Sequence, residues 1–140
     1  MKRFLLILMI PIFAASCNFS NEYKNRESDR QDAEKVTAEL FGFIKQSDFE
    51  KATTLFGEEF YKVYSKEDLV KIFESTENKL GELKSTELSD WNTMVSEDAI
   101  EQGFYNMNYN SEFEKGKAKQ KITLVKNENE EIKVVGYNIE

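Results

Sequence analysis

The chain has 140 residues, of which 40% are hydrophobic and 32% charged, and a formal net charge of -7. That length fits one domain, and eleven Phe, six Tyr and one Trp are too much apolar bulk for a chain that stays unfolded. The acidic balance excludes general nucleic-acid binding, which needs a basic footprint. The absence of His excludes His-based acid–base and zinc chemistry, and a single Cys excludes an internal disulfide.

Residues 1–17 read MKRFLLILMIPIFAASC. Lys2 and Arg3 form a positive leader, Phe4 to Phe13 an apolar run, and Ala14, Ala15 and Ser16 a small-residue cleavage site. Even if the helix ran from Phe4 to Phe19 it would reach about 24 Å, short of roughly 30 Å of hydrocarbon. The spacing therefore predicts a signal peptide over residues 1–16 rather than a transmembrane helix. Its removal takes away Lys2 and Arg3 and leaves a side-chain charge of about -9.

Ala14-Ala15-Ser16-Cys17 resembles the bacterial lipobox, in which Leu, a small residue and Gly, Ala or Ser precede an invariant Cys. Three positions match; the first carries Ala where Leu is usual. The resemblance implies a diacylglycerol joined to the Cys17 sulfur by a thioether, cleavage before Cys17, and acylation of the new amino group with a fatty acid such as palmitate. A thiolate is the natural nucleophile for the first step. The alternative is an ordinary secretory signal whose Cys falls there by chance, although a lone free thiol in an exported protein invites unwanted pairing. Several acyl chains anchor stably where one does not. The localisation expected is thus the cell envelope, lipid-anchored to a membrane. Asn18, standing where Asp would mark inner-membrane retention in enteric bacteria, favours the outer membrane if the source has one.

Residues 18–31, NFSNEYKNRESDRQ, are mostly polar and without sustained periodicity, and read with Cys17 as a flexible tether over 17–31. The domain is then expected over 32–140. Asp32 to Gln46 places Ala33, Val36, Leu40, Phe43 and Ile44 on one helical face. Ser47-Asp48-Phe49-Glu50 has a capping-box pattern, with Phe49, Ala52, Leu55 and Phe56 following before Gly57. A short segment with Phe60, Val63 and Tyr64 leads to Ser65, a good N-cap. Leu69, Ile72, Phe73, Thr76 and Leu80 form a third stripe, closed by Gly81.

The period then changes. A first strand, less cleanly patterned, is expected within 82–95 around Leu88, Trp91 and Met94. From Gln102 to Phe113, Tyr105, Met107, Tyr109 and Phe113 alternate with Asn106, Asn108, Asn110 and Glu112, which predicts a strand with one apolar face. Over Lys117 to Lys126, Ala118, Ile122 and Leu124 lie opposite Lys117, Lys119 and Lys121. Asn127 to Glu130 reads as a turn. Ile132 to Ile139 is a last strand whose apolar parity shifts near Val134-Val135, with Gly136 marking a bulge or bend. Helices followed by consecutive strands imply an α+β fold: three N-terminal helices on one face of a four-stranded antiparallel sheet.

That order resembles the NTF2-like (cystatin-like cone) superfamily, in particular its small uncharacterised bacterial envelope proteins. The residues that carry the likeness are Phe41, Lys45-Gln46-Ser47-Asp48-Phe49-Glu50-Lys51-Ala52, Leu80-Gly81 and Val134-Val135-Gly136-Tyr137 with Ile139. It covers about residues 32–140, and its motifs mostly mark packing and turns. Ile132 stands where related proteins often carry Trp. The likeness implies a curved sheet forming a cone, often with a pocket between sheet and helices.

Phe43, Phe73, Trp91, Tyr105, Met107 and Tyr109 are the residues expected to line such a pocket, which would suit a hydrophobic ligand; the alternative is that they fill the core. Enzymes of the superfamily use Asp, His or Tyr there. Without His, and with Glu112 and Glu114 on the polar face or in a turn, a non-enzymatic role is expected, the alternative being a Tyr–carboxylate enzyme. Lys115, Lys117, Lys119 and Lys121 recur every second residue and would share one strand face. They read either as a face for lipid phosphates or an acidic partner, or as a solvated face paired with Glu112, Glu114 or Glu131 across strands. Glu58-Glu59, Glu97-Asp98 and Glu128-Glu130-Glu131 lack metal-ligand spacing. No metal and no cofactor is expected. The function expected is that of a lipid-anchored envelope protein binding a partner protein or a small ligand.

Overall fold

The structure, a computed structural model, describes residues 22–97 and 101–140. The signal peptide, Cys17 and Asp98 lie outside the described residues. The chain runs β1 (Glu22–Lys24), α1 (Glu27–Lys45), α2 (Phe49–Thr53), α3 (Glu58–Tyr61), α4 (Lys66–Leu80), β2 (Leu83–Glu97), β3 (Glu101–Phe113), β4 (Gly116–Lys126) and β5 (Ile132–Ile139). The five strands form one antiparallel sheet in sequence order. The fold is therefore α+β, as the change of period predicts, with one more strand and one more helix than expected.

The added strand, Glu22–Lys24, lies in the stretch read as tether, ahead of the boundary expected at residue 32. Polarity there reflects specific pairing rather than solvation. Tyr23 pairs with Val95 in β2. Asn25, at φ 53°, donates its N–H to the Thr93 carbonyl and accepts the Thr93 N–H on its side chain, both at 3.0 Å. The Arg26 guanidinium lies 3.9 Å from the centre of the Tyr23 ring and grips the buried Asp29 carboxylate through two bonds of 2.8 and 3.1 Å. A charge-assisted, bidentate pair of this kind fixes the first turn of α1 in place of a capping side chain.

The extra helix is the one-turn α3 at the Phe60 segment. Phe60 is buried against Phe56, their ring centres 4.7 Å apart. The Ser47–Glu50 capping box expected for α2 does not form: Asp48 is the N-cap and accepts the Lys51 N–H at 3.3 Å, while the Ser47 hydroxyl donates to Glu77. The caps of α4 form as the sequence predicts. Ser65 and Asp68 make a reciprocal capping box at the start of α4, and Gly81 ends it at φ 78°.

All four helices lie on the chain's apolar side of the sheet. On α1 the stripe is centred on Ala33, Thr37, Leu40 and Phe41, which are buried, whereas Val36, Phe43 and Ile44 sit at its margin. Opposite them stand Val95 and Thr93 from β2, Tyr105, Met107 and Tyr109 from β3, Ile122 and Leu124 from β4, and Val134 from β5. The segment after α2 closes the β5 edge. Gly57 donates to the Val134 carbonyl at 2.8 Å, and Val134 donates to the Leu55 carbonyl at 2.9 Å.

Candidate interaction surface

The six residues expected to line a cone pocket do not border a common space. Tyr105, Met107, Tyr109 and Phe73 are buried and packed in the core, with Phe43 and Trp91 partly buried against it. A cavity of about 10 Å³, room for about one water, touches Phe73 alone of the six, the rest of its wall being formed by residues such as Phe49, Glu77, Leu83 and Tyr137. Phe41 takes the position expected for Phe43 and meets the Tyr109 ring edge-on at 4.8 Å.

Several polar groups of the interior pair with one another, whereas the buried Thr93 hydroxyl has no hydrogen-bond partner among the described residues. Tyr109 shares a hydrogen bond of 2.5 Å with the Thr37 hydroxyl, and burial pushes its own hydroxyl up to about 12, with Thr37 opposing. Gln120 donates to the Ser111 hydroxyl at 3.0 Å and accepts from Tyr137 at 2.9 Å; burial raises Tyr137 as well. The one buried carboxylate among the described residues, Asp29, is held by Arg26. Neither tyrosine therefore has an inward carboxylate as a catalytic partner. No group of three potential metal ligands occurs among the described residues.

The opposite face of the sheet carries no described helix. Its rows follow from the register. Met94, Phe104 and Val125 stand side by side on β2, β3 and β4, with Lys24 of β1 beside Met94 and Lys133 of β5 beside Val125. Met94 and Phe104 are each 41% exposed and stand side by side on this face; Val63 and Tyr64, after α3, are the more exposed large apolar side chains among the described residues. In the next row Asn106 donates to Asn92 and accepts from Thr123, both at 3.1 Å. Further along come Asp90, Asn108, Lys121 and Asn138, then Glu87, Asn110 and Lys119, then Ser85, Glu112 and Lys117.

The lysine ladder is shorter than expected. Lys117, Lys119 and Lys121 share this outer face, but Lys115 lies in the β3–β4 turn, where its N–H donates to the Leu80 carbonyl at 2.8 Å. Lys117 pairs with Glu112 at 3.5 Å and Lys121 with Glu140 at 3.7 Å. Glu114, expected as a partner of the ladder, pairs with Lys84 instead at 3.4 Å. Two of the three lysines on this face thus have an exposed carboxylate within 4 Å.

Sequence reasoning passed over Phe104 and gave Met94 no face of its own. Phe104 had a signal: it shares the parity of Asn106, Asn108 and Asn110 rather than that of Tyr105. Met94 did not, because the bulges in β2 hide which face it takes.

A sheet covered on one side, with a filled interior and a mixed polar and apolar outer face, defines an α+β protein whose accessible chemistry lies on its surface. Residues 37–137 match the model of a family described as a protein of unknown function, DUF4019. The match spans most of the chain, and the protein belongs to that family. It begins within α1 and ends within β5, leaving β1 outside. No curated protein and no solved structure matches the chain. No helix among the described residues is long and apolar enough to cross a membrane.

Proposed function

We propose that the protein is a lipid-anchored component of the bacterial cell envelope, non-enzymatic, whose domain binds a partner protein through the open face of its sheet. The observation that carries this reading is the contrast between the two faces. Between the helices and the sheet at Phe73 the core leaves a cavity of about 10 Å³, too small for a substrate or a drug-sized ligand, and the larger groove between α4 and the β4–β5 edge is open to solvent. Beyond exposed Met94 and Phe104, the open face offers a row of side-chain hydrogen bonds among Asn92, Asn106 and Thr123 and then paired charges toward Lys117, polar chemistry that a protein partner can read.

The anchor rests on the lipobox-like Ala14-Ala15-Ser16-Cys17. The NTF2-like reading is supported by helices followed by an antiparallel meander covered on one side. A Tyr–carboxylate enzyme finds little support, since Tyr109 and Tyr137 are paired with Thr37 and Gln120.

The test is photo-crosslinking in intact cells, with the reactive group at Asn110 or Lys119 on the open face and, separately, at Glu74 on α4. A discrete partner adduct from the sheet positions and none from Glu74 is expected. Equal, diffuse adducts from both would count against the open face as a binding surface.

A further inference from the structure

We infer that the apolar end of the open sheet face, the row Met94–Phe104–Val125, rests on the lipid surface to which Cys17 ties the domain. This rests on the lipoprotein reading above and adds to it an orientation and a contact.

Chain length is the first argument. Four residues, Asn18 to Asn21, separate Cys17 from the start of β1. From Cys17 to Glu22 the chain spans at most about 17 Å. The headgroup layer alone takes up roughly 5–7 Å of that. A flexible tether of fourteen residues would span about 20 Å and hold the domain just off the headgroups. The shortened one holds the β1 end of the sheet at the headgroups.

Register is the second argument. Glu22 pairs with Ser96, and Ser96 with Gln102; two residues along, Lys24 pairs with Met94 and Met94 with Phe104. Phe104 is therefore two strand spacings, about 10 Å, from Lys24. The exposed apolar side chains are thus on the same end of the domain as the attachment point. The far end of that face, with Glu87, Lys117 and Glu140, carries charge instead.

Charge decides the kind of lipid. Glu22, Glu58, Glu59 and Glu128 border the groove that contains Met94 and Phe104, against Lys126 in the groove and Lys24 and Lys133 at the ends of the apolar row. Such a rim has no basic surplus to draw it to an anionic surface and suits a mainly zwitterionic one, so contact depends on the anchor and the apolar row. Phe and Met at the headgroup boundary gain by leaving water. The rest of the open face, from Asn106 to Lys117, stays clear of the lipid for a partner.

The experiment uses the full-length, lipid-modified protein with Phe104→Cys, and separately Lys119→Cys, each labelled with an environment-sensitive fluorophore; a thioether on Cys17 leaves the introduced thiol as the one that reacts. Both are placed in phosphatidylethanolamine vesicles with a minor fraction of phosphatidylglycerol and brominated acyl chains. The expected result is that the label at 104 loses most of its emission to the bromines, at low and high salt alike, while the label at 119 keeps it. Retained emission at 104 on a protein that mass analysis shows to be acylated overturns the inference and leaves the lipoprotein reading standing. So does shielding of 104 by a second copy or another envelope protein, detected as a crosslink from that position. A wild-type protein without fatty acid overturns both.

Discussion

Thr37 on α1 and Tyr109 on β3 lie 72 residues apart and join helix to sheet through a buried hydrogen bond of 2.5 Å. The Thr37 hydroxyl donates to the Glu34 carbonyl at 3.2 Å, so its lone pairs are left to accept the Tyr109 proton. Tyr109→Phe removes that donor and leaves Thr37 with its helical partner. A loss of about 1 kcal/mol is expected, as for a typical net hydrogen bond, read as a lower midpoint in urea at unchanged slope.

The same tyrosine sets an alkaline limit. Its ordinary value is 10.0 and burial raises it to about 12 in the folded protein. Below the ordinary value both states hold the proton, and the contribution to stability is complete. As pH rises from there to about 12, the unfolded chain gives up its proton first, and stability falls by about 2–3 kcal/mol in that window. Tyr137, raised in the same direction by burial, adds to the fall. Urea titrations across this range should show a smaller loss in Tyr109→Phe than in the wild type.

Gly81 ends α4 at φ 78° and ψ -164°, a region essentially restricted to glycine. A Cβ there would come within 2.8 Å of the Glu114 Cβ, which is fixed by the β3–β4 turn docking on the helix end. Gly81→Ala is expected to cost about 1–3 kcal/mol. A thermal midpoint equal to that of the wild type would contradict the backbone assignment.

The capping box at the head of α4 is independent of the core. The Asp68 N–H donates to the Ser65 hydroxyl and the Ser65 N–H to the Asp68 carboxylate, both at 3.1 Å. Donation from the Ser65 N–H, and then from its hydroxyl, holds the Asp68 carboxyl below the usual range. Ser65→Ala should cost about 1 kcal/mol and Ser65→Asp much less. Similar losses for both would mean that the cap is not what stabilises the turn.

What the sequence made legible follows period and caps. β3 and β4 alternate without interruption, so Tyr105, Met107, Tyr109, Ile122 and Leu124 are assigned to the right face. The parity shift near Val134-Val135 is a real irregularity of register, between Thr123 and Leu124 on the partner strand. β2 resists the same reading because register shifts fall between Leu83 and Ser85 and between Leu88 and Asp90. Its inward residues, Leu83, Thr86, Leu88, Trp91, Thr93 and Val95, are thus spaced three, two, three, two and two, and Met94 turns outward. β1 was illegible for another reason. A three-residue strand has no period, and the pairing of Asn25 and Arg26 with distant Thr93 and Glu97 leaves no local signal. The pocket failed where composition cannot help: whether aromatic side chains enclose a space or fill it depends on how the helices pack.

Lipid anchoring is tested most directly at the N-terminus of the mature protein. Mass analysis of the protein recovered from membranes should find a chain beginning at Cys17, carrying a diacylglyceryl thioether and fatty acid. Cys17→Ser should carry no fatty acid and leave the membrane fraction or remain unprocessed. A wild-type protein recovered with a free Cys17 thiol, or acylation that persists in Cys17→Ser, would contradict it.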